Sequence, residues 1–169
     1  MEYERPSWMR PGVQIDDQVV RIELWRLLLI FMATKTLSQI EDERLRDTLS
    51  GIDGEFSTYE AQRILVQTAV MLRMMDDKCD GKILKNEVCG ELHIGAKSKP
   101  LSLRDACNKI IHAKQLHFDV EVVDRFEVSR NFLNPFVYLY GEKGGAKWKC
   151  YIEVLKYIEG GHIALSGPT

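Results

Sequence analysis

The residues best placed to do chemistry lie in the segment Leu103-Arg-Asp-Ala-Cys-Asn-Lys-Ile-Ile-His-Ala113. Arg104, Asn108 and His112 recur at every fourth position. On a helix each step of four advances only about 40° around the axis, so the three side chains form one polar stripe. Leu103, Ala106, Cys107, Ile110 and Ile111 mark the apolar face beside it. A histidine titrates near neutrality and can take the proton of a 2′-hydroxyl or return one to a leaving oxygen. An arginine offers a planar cation to a charged transition state on phosphorus, and an asparagine can orient the histidine or a phosphate oxygen. The stripe therefore predicts cleavage of an RNA phosphodiester with Arg104, Asn108 and His112 as catalytic residues and no metal or cofactor. A second protomer packed against this helix would line one cleft with two copies of the three, which makes a homodimer the expected assembly.

Other residues support that site. Between Lys97 and Lys114 the bases Lys97, Lys99, Arg104, Lys109 and Lys114 face a single acid, Asp105. Lys97, Lys99, Lys109 and Lys114 are thus the candidate RNA contacts on a local cationic face. Asp105, together with Arg73 and Asp77 at the end of the preceding helix, is placed to support the stripe, and Arg73, Asp76 and Asp77 can pair with its basic groups. The same residues also have a structural reading, because a helix histidine beside a core is commonly hydrogen-bonded in place and Asn108 can cap a neighbouring loop.

The run from Arg104 to Asn-Lys-Ile-Ile-His-Ala, preceded by Leu-rich helices, resembles the C-terminal helix motif of the HEPN superfamily. The likeness covers roughly residues 17 to 114. Members of that family carry an Arg, a polar residue after it and a His further along; here Asp105 follows Arg104 and seven residues separate Arg104 from His112. The resemblance implies a helical domain that acts as an RNase of a bacterial defence or toxin–antitoxin type system. Members without a working motif imply the alternative, a non-catalytic dimerisation or protein-interaction module. The β-rich tail lies outside the basic family fold.

The elements that must position the stripe follow from periodicity. Residues 1–16, with Pro6 and Pro11, read as an irregular arm. From about Asp17 to Lys35 the residues Val20, Leu24, Leu27, Leu28 and Phe31 recur at helical spacing, and the breadth of the apolar face predicts burial on more than one side. Ser38 with Glu41 spells a capping box opening a short polar helix that ends near Gly51, and Ser57 with Glu60 repeats it. Ala61, Ile64, Leu65, Thr68, Ala69, Leu72 and Met75 then form the cleanest amphipathic stripe in the chain. Residues 76–100 are punctuated by Gly81, Gly90, Gly95 and Pro100, with one short helix between them. Ser102 caps the helix of the polar stripe, which runs to about Ala113.

Beyond His117 the period changes to two. Phe118, Val120 and Val122 alternate with acids, and the runs 136–140 and 148–154 flank a Gly-rich turn at Gly141–Ala146, giving three antiparallel strands. Tyr138, Tyr140, Trp148 and Tyr151 in that hairpin offer a further recognition surface. The last residues, around Gly167 and Pro168, read as frayed. The expected fold is α+β: a bundle of four to five helices over 17–114 followed by a small antiparallel sheet over 115–169, in one domain.

Composition removes several classes. A net charge of −2 and a pI near 6.1 argue against a histone-like nucleic-acid binder. The longest apolar run, Leu27 to Ala33, is far short of the roughly 20 residues of a membrane span, so no membrane partner is expected. Cys79, Cys89, Cys107 and Cys150 show no C-x-x-C and no secretory leader, which predicts reduced, buried thiols in a cytoplasmic protein. Asp76, Asp80, Gly81, Ile83 and Glu87 match a calcium-loop spacing, but Lys78 and Lys85 stand at ligand positions and would repel the ion. Cys89 and His93 alone do not make a zinc site. P-loop, Rossmann, G-x-S-x-G and H-E-x-x-H motifs are absent.

Overall fold

Two aspartates start the helical half of the molecule. Asp16 accepts a hydrogen bond from the Gln18 N–H (2.9 Å) at the head of α1 (Asp17–Ser38), and Asp42 accepts from the Leu45 N–H (2.9 Å) at the head of α2 (Glu43–Lys78). The structure is a computed structural model and describes residues 15–125 and 128–166. The expected irregular arm, up to residue 14, and residues 167–169, expected to fray, lie outside them.

α2 is one helix of 36 residues, where the sequence predicts two. Ser38 is the last residue of α1, and Ser57 and Glu60 lie within α2. Gly51 and Gly54 fail to end the helix because each costs only about 1 kcal/mol relative to alanine, and no proline stands nearby to remove a hydrogen bond. α1 and α2 pair through an alternating charge network: Arg26 bridges Glu23 (3.1 Å) and Glu60 (3.0 Å), while Arg63 bridges Glu60 (2.7 Å) and Glu23 (3.3 Å).

Residues 76–100, where the sequence predicts one short helix between glycines, hold instead a hairpin of β1 (Val88–Ile94) and β2 (Lys97–Ser102), turned at Gly95 with φ +58°. It precedes α3 (Leu103–His112), so strands interrupt the helical part expected over 17–114. β3 (Gln115–Arg125), β4 (Val128–Lys143) and β5 (Ala146–Glu153) follow. The β4–β5 turn places Gly144 at φ +57° and Gly145 at φ +80°, the pair of left-handed positions that a tight hairpin demands. The last described element is α4 (Val154–Ser166), a helix the sequence reading does not assign within its β-rich part over 115–169. Gly160 and Gly161 are contact points of this helix. A Cβ on Gly160 would stand 3.1 Å from Glu87 Cβ, and one on Gly161 would stand 3.0 Å from Leu24 Cδ1.

The fold is α+β, with four helices and one five-stranded antiparallel sheet in the order β2-β1-β5-β4-β3 among the described residues. Pro100 sits in β2, an edge strand, where its missing N–H is tolerated. Leu92, Leu101, Val137, Leu139, Cys150 and Ile152 point from the sheet into one core with α3 and α4, over which the α1–α2 hairpin packs. Tyr157 of α4 is fully buried at its centre, with its hydroxyl 3.0 Å from Thr68 Oγ1 of α2. The opposite face of the sheet carries no element among the described residues.

Candidate functional site

The α3 stripe begins as the sequence reading has it, with the Ser102 hydroxyl accepting from the Asp105 N–H (3.1 Å) at the helix head. The side chains of the stripe then part company. Arg104 turns toward the end of α2, where Nη1 pairs with the fully buried carboxylate of Asp76 and Nη2 lies 3.1 Å from Asp77 Oδ1. Asp76 Oδ1 also accepts the backbone N–H groups of Ile83 (3.0 Å) and Leu84 (3.2 Å), and its carbonyl accepts those of Cys79 (3.0 Å) and Gly81 (2.7 Å). The loop with calcium-like spacing is therefore wound around Asp76 by backbone hydrogen bonds, and an arginine occupies the place of a cation. Gly81, at φ +69°, lets that arginine in; a Cβ there would stand 2.9 Å from Arg104 Nη1.

Arg73 completes the cluster. Its Nε donates to Asn108 Oδ1 (2.9 Å) and its Nη1 pairs with Asp77. Arg73, Asp76, Asp77, Arg104 and Asn108 thus form an alternating clamp that joins the end of α2 to α3. Neither Arg104 nor Arg73 borders the cavity at the other end of the stripe.

That cavity, about 620 Å³, holds His112. Asp105, Asn108, Lys109, Glu142, Lys143 and Trp148 line the rest of it. The Lys109 ammonium lies 4.0 Å from the Trp148 ring centroid, and burial holds its pKa below the usual lysine range. Of the other predicted RNA contacts, Lys99 lies 3.5 Å from Asp105, Lys114 lies 2.8 Å from Glu142, and Lys97 is exposed at the start of β2. The hydrogen bond from Lys114 holds the Glu142 carboxyl below the usual range. The structure thus brings His112, Asn108, Asp105 and Lys109 to one cavity and assigns Arg104, Arg73 and Asp77 to the clamp.

Two further surfaces stand out. On the outside of the helical hairpin, Ile22, Trp25, Leu29 and Met32 of α1 are exposed, as are Leu45, Ile52, Phe56, Tyr59, Val66 and Val70 of α2. Their spacing of three and four residues is that of a helix–helix seam. On the open face of the sheet, His93, Tyr138, Tyr140, Lys147, Lys149 and Tyr151 line a groove of about 550 Å³. The sequence reading singles out the tyrosines; strand alternation through 147, 149 and 151 is the signal that would have added the lysines. Trp148 belongs with the core, 5% exposed beneath Lys109.

Comparison with protein-family models, with curated proteins and with solved structures finds no match to this chain.

Cys89, Cys107 and Cys150 are buried free thiols, while Cys79 is exposed at the end of α2, a departure from the expectation of four buried thiols. Burial pushes Cys107 and Cys150 up to about 12, and Cys89 higher still. A bulge between Val88 and Gly90 leaves Cys89 in the core while His93 lies on the open face beside Glu91 (3.7 Å). Among the described residues no three His, Cys, Asp or Glu side chains gather as a metal site requires. No described helix is long and apolar enough to cross a membrane.

Proposed function

We propose that this protein is a non-catalytic interaction module that works as a homodimer, paired through the outer face of the α1–α2 hairpin. The observation that carries this reading is the size of the apolar surface there. Trp25 is 58% and Tyr59 70% exposed. With their neighbours on the two seams they leave roughly 1,000 Å² of apolar side chain in water, more than the few hundred Å² usual on a monomer and comparable to the ~800 Å² each partner buries in a stable pair. The breadth of the apolar face of α1 agrees with it: Val20, Leu24, Leu27 and Phe31 fill the core, and the opposite side is apolar again. A second copy, presenting the same two seams about a two-fold axis, satisfies both at once.

The commitment of Arg104 to Asp76 and Asp77, and of Asn108 to Arg73, supports the non-catalytic form of the HEPN-like reading, because the arginine is not free to approach a phosphate at His112. The cavity that holds His112 with Lys109 favours a second reading, metal-independent RNA cleavage with the histidine as acid and base.

Size-exclusion chromatography with light scattering across a dilution series tests the proposal. The parent should run at twice the 19.5 kDa of the chain, and Trp25→Glu should run at the single mass with an unchanged circular-dichroism spectrum. A parent that stays monomeric at every concentration, or a dimer indifferent to Trp25→Glu and Tyr59→Glu, would overturn it. RNA cleaved in excess EDTA by the parent and not by His112→Ala would replace it with the second reading.

A further inference from the structure

We infer that the open face of the sheet is a binding site for single-stranded RNA, separate from both α3 and the helical hairpin. The strand register sets its side chains in two neighbouring cross-strand rows. One runs His93, Lys149, Tyr140, Gln115 and the other Glu91, Tyr151, Tyr138, His117. Alternation along each strand sends these residues away from the core, and His93, Lys149, Tyr140, Tyr151 and Tyr138 line the groove described above. Three tyrosine rings on adjoining positions of β4 and β5 make a platform on which unstacked bases can lie; stacking of this kind tolerates any base, because every base has a π-face.

Two lysines at one end of the platform offer cations to a phosphate. The turn of β1–β2 and the turn of β4–β5 lie at the same end of the sheet, since Ile94 and Gly141 both pair with Trp148. On the open face that end carries Lys147 and Lys149, both lining the groove, while Lys97, paired with Ile94, and Lys143, which lines the His112 cavity, alternate to the other face. The Lys149 ammonium lies over the Tyr138 and Tyr140 rings, 5.3 Å and 5.6 Å from their centroids, so a base that stacks on either tyrosine displaces it from the ring face toward the flanking phosphate. Glu91, hydrogen-bonded by the Tyr151 hydroxyl (3.4 Å), borders the groove on the far side. A duplex keeps its base faces inside the stack and cannot use such a platform. His93, Gln115 and His117 flank the rings with hydrogen-bonding groups; His117 meets Tyr140 edge-on at 5.7 Å. Such groups give a ribose 2′-hydroxyl a partner, which favours RNA over DNA.

Fluorescence anisotropy with a labelled single-stranded 12-mer RNA of mixed sequence, at low salt and over a salt series, tests the assignment on the intact protein. The expected result is binding that weakens as salt rises. Tyr140→Ala and Tyr138→Ala should each weaken it on the order of 10-fold, and Lys149→Ala should lower the salt slope by about 0.7. Tyr140→Phe, which keeps the ring, should bind like the parent, and a thermal melt of each variant separates lost binding from lost fold. No binding at low salt would overturn the assignment. So would equal affinity for DNA of the same sequence or for duplex RNA, or binding that ignores the sheet variants and is lost in Lys109→Glu. None of these outcomes depends on the mass measured for the parent, so this test and that of the dimer fail independently.

Discussion

Replacing Arg104 with alanine separates a structural arginine from a catalytic one. Asp76 is fully buried, and Arg104 is the cation against its Oδ2. Breaking a buried ion pair by removing one partner costs about 3–5 kcal/mol, because an uncompensated charge stays behind. Here the Ile83 and Leu84 N–H groups remain on Oδ1, Arg73 lies 3.9 Å from Oδ2, and the Arg104 side chain is 24% exposed. The loss should therefore sit lower, at about 2–3 kcal/mol. In a domain of this length each kcal/mol moves Tm by about 2–4 °C, so Tm should fall by roughly 5–10 °C. Thermal unfolding by circular dichroism reads this directly. Asp76→Asn keeps an acceptor for the two backbone donors and removes the charge that needs Arg104. The double variant Asp76→Asn, Arg104→Met should then be less destabilised than the sum of the two single changes. A melt of Arg104→Ala within about 1 °C of the parent, the range of an ordinary surface substitution, would refute the clamp and return Arg104 to the list of free cations.

Two more outcomes follow from burial. A thiol reagent should find one reactive cysteine, Cys79, in the native protein and all four in denaturant, with no gain between pH 7 and 9, since the pKa values of Cys107 and Cys150, at about 12, and that of Cys89 lie above that window; a second fast native thiol would contradict the packing. Gly141→Ala should lower stability by about 2 kcal/mol or more through overpacking, because its Cβ would stand 2.1 Å from Trp148 Cζ2; a melt identical to the parent would mean that Trp148 does not lie across Gly141.

Periodicity carried α1, the second half of α2 and α3, because each presents a continuous apolar face to the core. Val20, Leu24, Leu27, Ile64, Leu65, Leu72, Leu103 and Ile110 are all buried. It missed the β1–β2 hairpin for a physical reason: β2 reads Lys-Ser-Lys-Pro-Leu-Ser, four of its six residues are exposed, and an edge strand needs neither apolar alternation nor a full set of N–H donors. α4 carries Gly160 and Gly161, poor helix formers by propensity, whose small size is a packing requirement against Glu87 and Leu24. Within the site, helical spacing correctly aligned Arg104, Asn108 and His112 along one stripe. It had no access to the angle at which α2 crosses α3, and that angle decides that Arg104 meets Asp76 and Asp77, that Asn108 meets Arg73 at the border of the cavity, and that His112 lines the cavity without the arginine.

The place of β5 in the sheet has a consequence for how the chain folds. The last strand in sequence is the middle strand in space, hydrogen-bonded to β1 on one side and β4 on the other. Until residues 146–153 leave the ribosome, the hairpin of β1 and β2 and the pair of β3 and β4 can each form locally, but they cannot join, and each keeps a bare edge ready to pair with another chain. The joining contacts, such as Gly90 with Ile152, span some sixty residues, and closing loops of that length makes the step slow relative to the local hairpins. The nascent protein is thus most prone to aggregate just before β5 emerges, and a chain cut short ahead of residue 146 lacks the strand that makes the two hairpins into one sheet.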